Sequence, residues 1–385
     1  MNTGAVKLFR PQQIKATNLL LSQILKTPES YLELLQCHST RTIMSIAYGV
    51  EVKLHNDPWV SIVEDAAKSV KDAFVPGAFL VDFFPILKFV PWWFPGAGFK
   101  RKARKWKELA HKSLHLPHEA AQKIIESGEY SPSFVSESLQ ALSDVDSPTE
   151  RRKKEQLIRE TAGVMYIVGV ESTTVAIAAF MFAMLVSPEA QRRAQEEVDR
   201  VAPGRLPTFE DEQFMPYVTA VVWESLRLKN VGPIGVPHYS DAEDVYNGYR
   251  IPKGSIVISN IWAILHDENL YPEPFEFKLE RYFKPGKDYE FDETVRPPTF
   301  AAFGFGRRIC PGRHMAYASL WIAVASILKT FDIVKAVDEQ GIEIEPVYKL
   351  QSTFVGMPFP FECVIKPRSD EAKSLILAAN GELEV

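Results

Sequence analysis

The side chains best suited to chemistry lie in one short run, residues 303–312. It reads Phe-Gly-Phe-Gly-Arg-Arg-Ile-Cys-Pro-Gly, and its glycines let the backbone turn tightly and approach a flat group closely. Because proline is favoured as a first helical residue, Pro311 predicts that Cys310 lies at a helix N-terminus, where the helix dipole and free amides favour a thiolate. Such a thiolate, with Arg308 nearby to bind an acidic group, is what a haem iron and its propionates require.

Two other interpretations of this run stay open on the residues alone. Cys310 could instead be a buried structural cysteine, and the Gly-x-Gly pattern could be part of a phosphate-binding loop. The phosphate interpretation has little support, because no lysine followed by serine or threonine completes a P-loop. The haem interpretation is the stronger one, because the loop, the cysteine and the arginine all fit it together.

A second group of polar side chains interrupts a long apolar stretch, residues 162–186. At its centre the sequence reads Gly169-Val-Glu-Ser-Thr-Thr174. A charge at the centre of a lone membrane span costs about 2.5–3.5 kcal/mol. The sequence therefore favours a helix buried through a large domain, and a membrane-spanning helix remains the alternative.

Helical periodicity predicts most of the elements that position these groups. Apolar residues at three- and four-residue spacing predict helices over 12–25, 30–47, 58–74 and 98–125. Ser147-Pro148 begins the helix that contains the apolar stretch, which is predicted to end near Ser187. Further helices are predicted from Glu189 and over 216–228.

The sequence changes character after residue 229, where proline and glycine become frequent. Asn247-Gly248 predicts a β-hairpin, because this pair suits a turn with positive φ at both central positions. Residues 255–259 predict a strand, residues 270–303 an irregular meander, and residues 311–330 a helix. Alternating residues in the tail predict short strands up to Ile365.

Composition excludes several classes of protein. The chain has 385 residues, 46% of them hydrophobic and 24% charged, which is the balance of a globular protein rather than a disordered one. Three cysteines cannot form a disulfide framework in a chain of this length, and a net charge of −5 does not suggest a nucleic-acid partner. The first residues resemble neither a signal peptide nor a membrane anchor.

The run at residues 303–312 resembles the haem-ligand loop of the cytochrome P450 family, F-x-x-G-x-R-x-C-x-G. All five fixed positions are met, by Phe303, Gly306, Arg308, Cys310 and Gly312. The resemblance implies that these residues bind haem b and that Cys310 is the axial thiolate ligand of its iron. Thiolate ligation pushes electron density onto the iron and favours O–O cleavage.

Two further motifs resemble that family in the same order along the chain. Glu224-Ser-Leu-Arg227 matches its E-x-x-R, and Leu279-Glu-Arg-Tyr282 resembles its P-E-R-F with leucine in place of proline. Residues three apart share a helix face, so Glu224 and Arg227 can pair. The resemblance implies that Arg281 joins them in a structural triad that holds the meander to the helix.

The polar centre of the apolar helix resembles the family's oxygen-binding stretch, A/G-G-x-D/E-T-T/S. The resemblance implies that Gly169 leaves room for dioxygen and haem, and that Glu171, Ser172 and Thr173 deliver protons to bound oxygen as general acids. The sequence departs from the pattern at Val168 and at Ser172, where threonine is usual, and Thr173 or Thr174 could compensate. The alternative is that the hydroxyls only bond back to helix carbonyls.

Histidines give weaker signals. His238 follows Val-Pro after the helix over 216–228, where family members place a basic residue on a haem propionate, so it is a candidate; a solvated loop histidine is the alternative. His111, His115 and His118 have helical spacing, but no cysteine or carboxylate set joins them, which argues against a metal site.

The resemblance runs from about Val6 to the C-terminus and implies a mostly α fold with a smaller β part (α+β). We expect a single cytochrome P450 domain over 1–385, incomplete at its N-terminus: anchor, first strands and first helices would be missing. Residues 1–229 would be the helix-rich part, with the oxygen-binding helix near 150–187. Residues 230–385 would hold the hairpins, the meander, the ligand loop and the helix after it.

The function implied is a haem-thiolate monooxygenase that inserts one oxygen atom from O2 into a hydrophobic substrate, with electrons from an NADPH-dependent flavoprotein reductase. The chain resembles fungal members of the O-methylsterigmatocystin oxidoreductase kind, which implies secondary metabolism. Substrate contacts are expected at small or apolar positions, namely Val168, Val170, Pro233, Ile234 and 355–357. The alternative is a truncated, haem-free remnant without activity.

Location is also implied by the resemblance, which places the protein on the cytosolic face of the endoplasmic reticulum membrane. Residues 92–107 support a peripheral membrane contact, because they combine Trp-Trp-Phe with a run of lysines and arginines. The alternative is a solvated basic helix face beside core aromatics.

Overall fold

A computed structural model describes residues 3–53, 57–74, 77–142, 147–287, 289–351 and 355–381. Helices dominate it, which confirms the predicted fold class. In chain order they are α1 (Thr3–Lys7), α2 (Arg10–Lys26), α3 (Tyr31–Tyr48), α4 (Pro58–Phe74), α5 (Leu80–Phe83), α6 (Gly98–Ser127), α7 (Phe134–Gln140), α8 (Pro148–Val186), α9 (Pro188–Val201), α10 (Pro216–Leu228), α11 (Ile261–Leu265), α12 (Thr299–Ala302), α13 (Arg313–Thr330) and α14 (Asp370–Gly381).

The strand part consists of three antiparallel pairs among the described residues. β1 (His238–Tyr239) pairs with β4 (Ile256–Val257), β2 (Asp244–Tyr246) with β3 (Tyr249–Ile251), and β5 (Phe331–Lys335) with β6 (Cys363–Pro367). Asn247 and Gly248 join β2 to β3 with φ of 49° and 82°, which confirms the predicted hairpin turn. The predicted strand over 255–259 is shorter, because only Ile256 and Val257 pair.

Helix α8 runs through the core of the structure and contributes to both of its hydrophobic clusters. Of the most apolar eighteen-residue window of this helix, 67% is buried inside the protein, as expected for a core helix; α8 is also the only described helix long and apolar enough to cross a membrane. Ser147 caps it by accepting a hydrogen bond from the backbone N–H of Glu150, and Pro148 occupies its first turn. Its C-terminal half packs in one hydrophobic cluster with α10 and α13, and its N-terminal half in a second cluster with α3.

The predicted Glu224–Arg227–Arg281 triad is present and holds the meander to α10. Arg227 Nε and Nη2 each donate to the Glu224 carboxylate at 2.8 Å, and Arg281 Nε donates to it at 3.2 Å. Tyr282, which the sequence did not single out for this role, donates its hydroxyl to Glu224 Oε2 at 2.7 Å. Arg227 also donates to the carbonyl of Pro274 at 2.7 Å. These bonds satisfy the charges of Glu224 and Arg227, whose side chains are fully buried, which is the condition for a buried ion pair to be tolerated.

Two helices differ from expectation at the C-terminal end. Helix α13 begins at Arg313 with Gly312 as its N-cap, so Pro311 is not its first residue. Helix α14 was not predicted, although Asp370 and Glu371 in its first turn complement the helix dipole. It packs through the buried Ala372 and Ile376, and its Asn380 side chain donates to the carbonyl of Asn18 on α2 at 3.0 Å.

Candidate functional site

The loop before α13 presents Cys310 next to open space. A hydrogen bond closes this loop at its base: the Cys310 backbone N–H donates to the carbonyl of Phe303 at 2.8 Å. Gly304 and Gly306 have φ of 76° and 58°, a conformation that favours glycine. A Cβ atom built on either glycine would meet nothing within 4 Å, so the surface beside the thiol is open. This arrangement suits the approach of a broad, flat group.

The surroundings of the Cys310 thiol do not by themselves favour a thiolate. Burial raises the pKa of the thiol, while a hydrogen bond from the Gly312 backbone and the charge of Arg313 lower it. Helix α13 starts three residues after Cys310, and its N-cap residue Gly312 donates a backbone hydrogen bond to the thiol, so a thiolate at this helix N-terminus stays a prediction. A bound metal cation, which deprotonates a coordinating thiol outright, would supply the missing charge.

The other two cysteines lie elsewhere in the fold. Cys37 is in α3 and Cys363 is in β6. Burial raises the pKa of Cys363 to about 12, so this thiol is inert near neutral pH. Cys310 is the cysteine that lies on an open glycine-containing loop.

Arg308 adds a cation to the rim of this open surface. It ends a single 3-10 turn, Gly306–Arg308, and its side chain is exposed. Its guanidinium makes no hydrogen bond or ion pair with the residues that the structure describes. Within the described part of the chain this guanidinium is available to bind a carboxylate of an incoming group.

The polar side chains at the centre of α8 lie on two different sides of the helix. Ser172 Oγ donates to the carbonyl of Val168 at 3.0 Å, and Val168 is 59% exposed. Thr174 Oγ1 instead contacts Ser39 Oγ of α3 at 3.0 Å, so Thr174 faces away from Val168 and does not substitute for Ser172. Glu171 is buried and Thr173 is half-buried. Of the predicted hydroxyls, Ser172 lies on the open side of the helix.

Gly169 has a different role from the one expected. A Cβ atom at this position would lie 2.8 Å from Cγ1 of Ile43, in α3. The glycine therefore permits close packing of α3 on α8, and the prediction that it leaves room for dioxygen and haem is corrected. The exposed residue next to it, Val168, lies on the open side instead.

Helices α8 and α13, which adjoin the two predicted regions of the site, pack against each other. Val170, two residues before Ser172, and Met315, five residues after Cys310, are buried in the same hydrophobic cluster. Val164 lies one helical turn before Val168 and is also 59% exposed. The sequence analysis missed Val164, although its four-residue spacing from Val168 would have identified it as a member of the same face.

The histidines lie outside this arrangement. His238 is on β1, opposite Val257, and its side chain is exposed. The rings of His111 and His115 stack with their centroids 3.9 Å apart, and His118 is buried. Among the described residues, no group of three or more histidine, cysteine, aspartate or glutamate side chains is placed to hold a metal ion.

Comparison with known proteins identifies the family. The cytochrome P450 family model matches residues 12–354. The chain belongs to the cytochrome P450 family. It is 43% identical over 381 residues to cytochrome P450 monooxygenase 98 of Postia placenta, a match that covers 98% of this chain and 72% of that protein. It is 40% identical over 368 residues to tryptamine 4-monooxygenase of Psilocybe cyanescens, covering 95% of this chain and 71% of that protein.

As a member of this family, the chain is a cytochrome P450 monooxygenase. The family implies haem with a cysteine thiolate ligand, a redox partner and a hydrophobic substrate. The residues of this P450 fit such a group. The open surface at Gly304 and Gly306 accepts a flat ring, and Arg308 is available for a propionate.

Proposed function

We propose that the chain is a haem-thiolate monooxygenase in which Cys310 is the protein ligand of a haem b iron. The observation that carries this proposal is the Cys310 loop, which is open at both glycines and includes an arginine, Arg308, with no partner among the described residues. Phe303, Gly306 and Gly312 shape the loop, and Arg308 binds one propionate. His238 is a further candidate for a propionate, supported by its exposed position on β1.

Haem, when bound, supplies the redox chemistry that activates dioxygen and places one oxygen atom on the substrate. The protein must then provide protons and exclude bulk water. Ser172 lies on the open side of α8, one turn after Val168, and its hydroxyl donates to the Val168 carbonyl; to pass a proton to the open side, the hydroxyl must turn away from that carbonyl. Glu171 and Thr173 are the neighbouring groups proposed to supply Ser172 with protons.

The substrate class follows from the apolar character of the same region. Val164, Val168, Ile234 and Val236 are exposed apolar side chains, 43–60% accessible, on α8 and on the segment before β1. We propose a hydrophobic small molecule as the substrate, in agreement with the apolar positions 355–357. The relative from Psilocybe cyanescens is named for tryptamine, which makes an aromatic amine the first substrate to test here.

The partners are proposed from the same assignment. Electrons would come from an NADPH-dependent flavoprotein reductase, and the protein would lie on the cytosolic face of the endoplasmic reticulum membrane. We treat residues 1–385 as one P450 domain, since α8 and α13, from its two parts, pack directly on each other.

Haem content and turnover together test the proposal. We expect purified protein to bind one haem per chain, and the haem-loaded protein to oxidise a hydrophobic substrate in the presence of NADPH and a P450 reductase. Arg308→Ala should lower haem retention, whereas Arg152→Ala, an exposed arginine on α8, should leave it unchanged. A folded chain that takes up no haem would contradict the proposal and favour the alternative of a non-catalytic remnant.

A further inference from the structure

Two histidines stack on each other near the middle of α6, away from the haem site proposed above. His111 and His115, called the histidine pair below, are four residues apart, so their side chains lie on the same face of the helix. Their ring centroids are 3.9 Å apart, and the two ring planes differ by 16°. The stack therefore holds two metal-binding side chains side by side.

The ring nitrogens of the histidine pair are available for coordination. Neither ring makes a hydrogen bond or an ion pair with any residue that the structure describes. His111 is exposed and His115 is half-buried, so an ion can reach both from solvent. Burial lowers the pKa of His115, and the charges of His111 and Arg159 lower it further. His115 is therefore neutral near pH 7, and neutral imidazole is the form that binds a metal.

The separation of the two rings suits one shared ion. Zinc binds imidazole nitrogens at about 2.0–2.1 Å in a tetrahedral arrangement, which places two such nitrogens about 3.4 Å apart. Nearly parallel rings with centroids 3.9 Å apart bring corresponding nitrogens close to that separation. Two histidines four apart on one helix face are also the arrangement of zinc-binding H-E-x-x-H helices. Among the described residues no third histidine, cysteine or carboxylate is placed to join the pair, so water completes the coordination.

Two charged side chains act on a cation bound at the histidine pair. Glu119, one turn after His115 on α6, raises the pKa of His115, whereas Arg159 of α8 lowers it. The carboxylate therefore favours a cation here and the guanidinium opposes it. Because these effects have opposite signs, the imidazole nitrogens supply most of the attraction. Nitrogen ligands favour zinc, copper and nickel over magnesium and calcium, which prefer oxygen.

The turn of α6 that carries the histidine pair lacks a backbone hydrogen bond. Pro117 lies inside this helix and has no N–H to donate to the carbonyl of Ser113, which lies between the two histidines. An ion bound by His111 and His115 would link the two ends of this turn. Binding would therefore stabilise α6 where a backbone bond is missing.

We propose that His111 and His115 form a binding site for a divalent transition-metal ion of the zinc, copper and nickel group, separate from the haem iron. Two neutral imidazoles and water coordinate the ion, and α6 supplies both imidazoles. This inference goes beyond the proposed monooxygenase function and depends on neither haem nor turnover.

Calorimetric titration of the full chain with Zn2+ tests the inference. We expect a site that Mg2+ does not occupy and that weakens as the pH falls through the usual histidine pKa of about 6.5. His115→Ala should weaken Zn2+ binding at this site by at least about tenfold, since even loss of an outer partner of a metal ligand costs roughly 10–100-fold. Zn2+ should raise the melting temperature of the parent and not that of His115→Ala.

A change of spacing provides the matched variant. His111→Ala with Ala110→His keeps the number of histidines but places them five residues apart, on different faces of α6, so it should lose the site as well. Lys112→Ala, at an exposed position between the two histidines, should not weaken binding. Glu119→Gln should weaken binding and Arg159→Gln should strengthen it.

Two results would overturn the inference. One is a parent chain, folded by circular dichroism, that binds no Zn2+. The other is equal Zn2+ binding by the parent, His115→Ala and the variant with changed spacing, which would assign the bound zinc to other groups such as the cysteines. Haem content, measured on the same samples, reports separately on the monooxygenase proposal.

Discussion

Replacing Glu224 by glutamine removes the charge that neutralises Arg227 and Arg281 in the interior. The Glu224 side chain is fully buried and accepts five hydrogen bonds. Arg227 donates two of them at 2.8 Å, and the others come from the Tyr282 hydroxyl at 2.7 Å, the Lys278 backbone at 3.1 Å and Arg281 at 3.2 Å. A glutamine amide turns one acceptor into a donor and leaves buried guanidinium charge uncompensated.

Breaking a buried ion pair from one side costs about 3–5 kcal/mol. The whole stability of a domain is about 5–15 kcal/mol, so Glu224→Gln should lower the urea midpoint of unfolding sharply or prevent folding. Glu280→Gln is the matched control, because Glu280 also pairs with an arginine, Arg193 at 2.8 Å, but its side chain is 58% exposed. The control substitution should lower the free energy of unfolding by at most about 1 kcal/mol. Equal losses of unfolding free energy in Glu224→Gln and Glu280→Gln would refute the structural role assigned to the triad.

Three further predictions follow from single positions. Gly169→Ala should lower the melting temperature by an amount equivalent to about 1–3 kcal/mol, because its Cβ would overlap Ile43; in an Ile43→Ala background, which is itself destabilised, the added loss from Gly169→Ala should be smaller. Burial raises the pKa of Glu197 from 4.5 to about 7, so stability should fall by roughly 3 kcal/mol as pH rises from 4.5 through 7, and Glu197→Gln should flatten that dependence in pH-resolved urea titrations. In the reconstituted enzyme, Ser172→Ala should divert NADPH electrons to peroxide and cut product on the order of a hundredfold, while Thr174→Ala, which faces α3, should not.

The sequence predicted the long helices well because their signal is local. Apolar residues recur at helical spacing in α3 (Tyr31–Tyr48) and α8, and start signals such as Ser147-Pro148 give the helix bounds to within a few residues. The turn at Asn247-Gly248 was also predictable from the sequence, because glycine and asparagine tolerate positive φ. The short helix α14 was missed, since its length and mixed face give a weak periodic signal.

The site was predicted less completely than the fold, because long-range contacts decide the roles of its residues. The direction of Thr174 depends on Ser39, and the need for Gly169 depends on Ile43, both in a helix more than a hundred residues earlier. The thiol pKa of Cys310 depends on burial by the folded chain, which no local motif reports. Motif spacing correctly paired Glu224 with Arg227 and Arg281, but it could not show that Tyr282 completes the set.

The absorption spectrum of the reduced, CO-bound protein tests the central claim most directly. If Cys310 is the iron ligand, the parent protein should show the red-shifted Soret band of thiolate ligation. Cys37→Ser and Cys363→Ser should keep this band, and Cys310→His should lose it while still binding haem. Retention of the thiolate band in Cys310→His, or its loss in either of the other two variants alone, would contradict the assignment of Cys310.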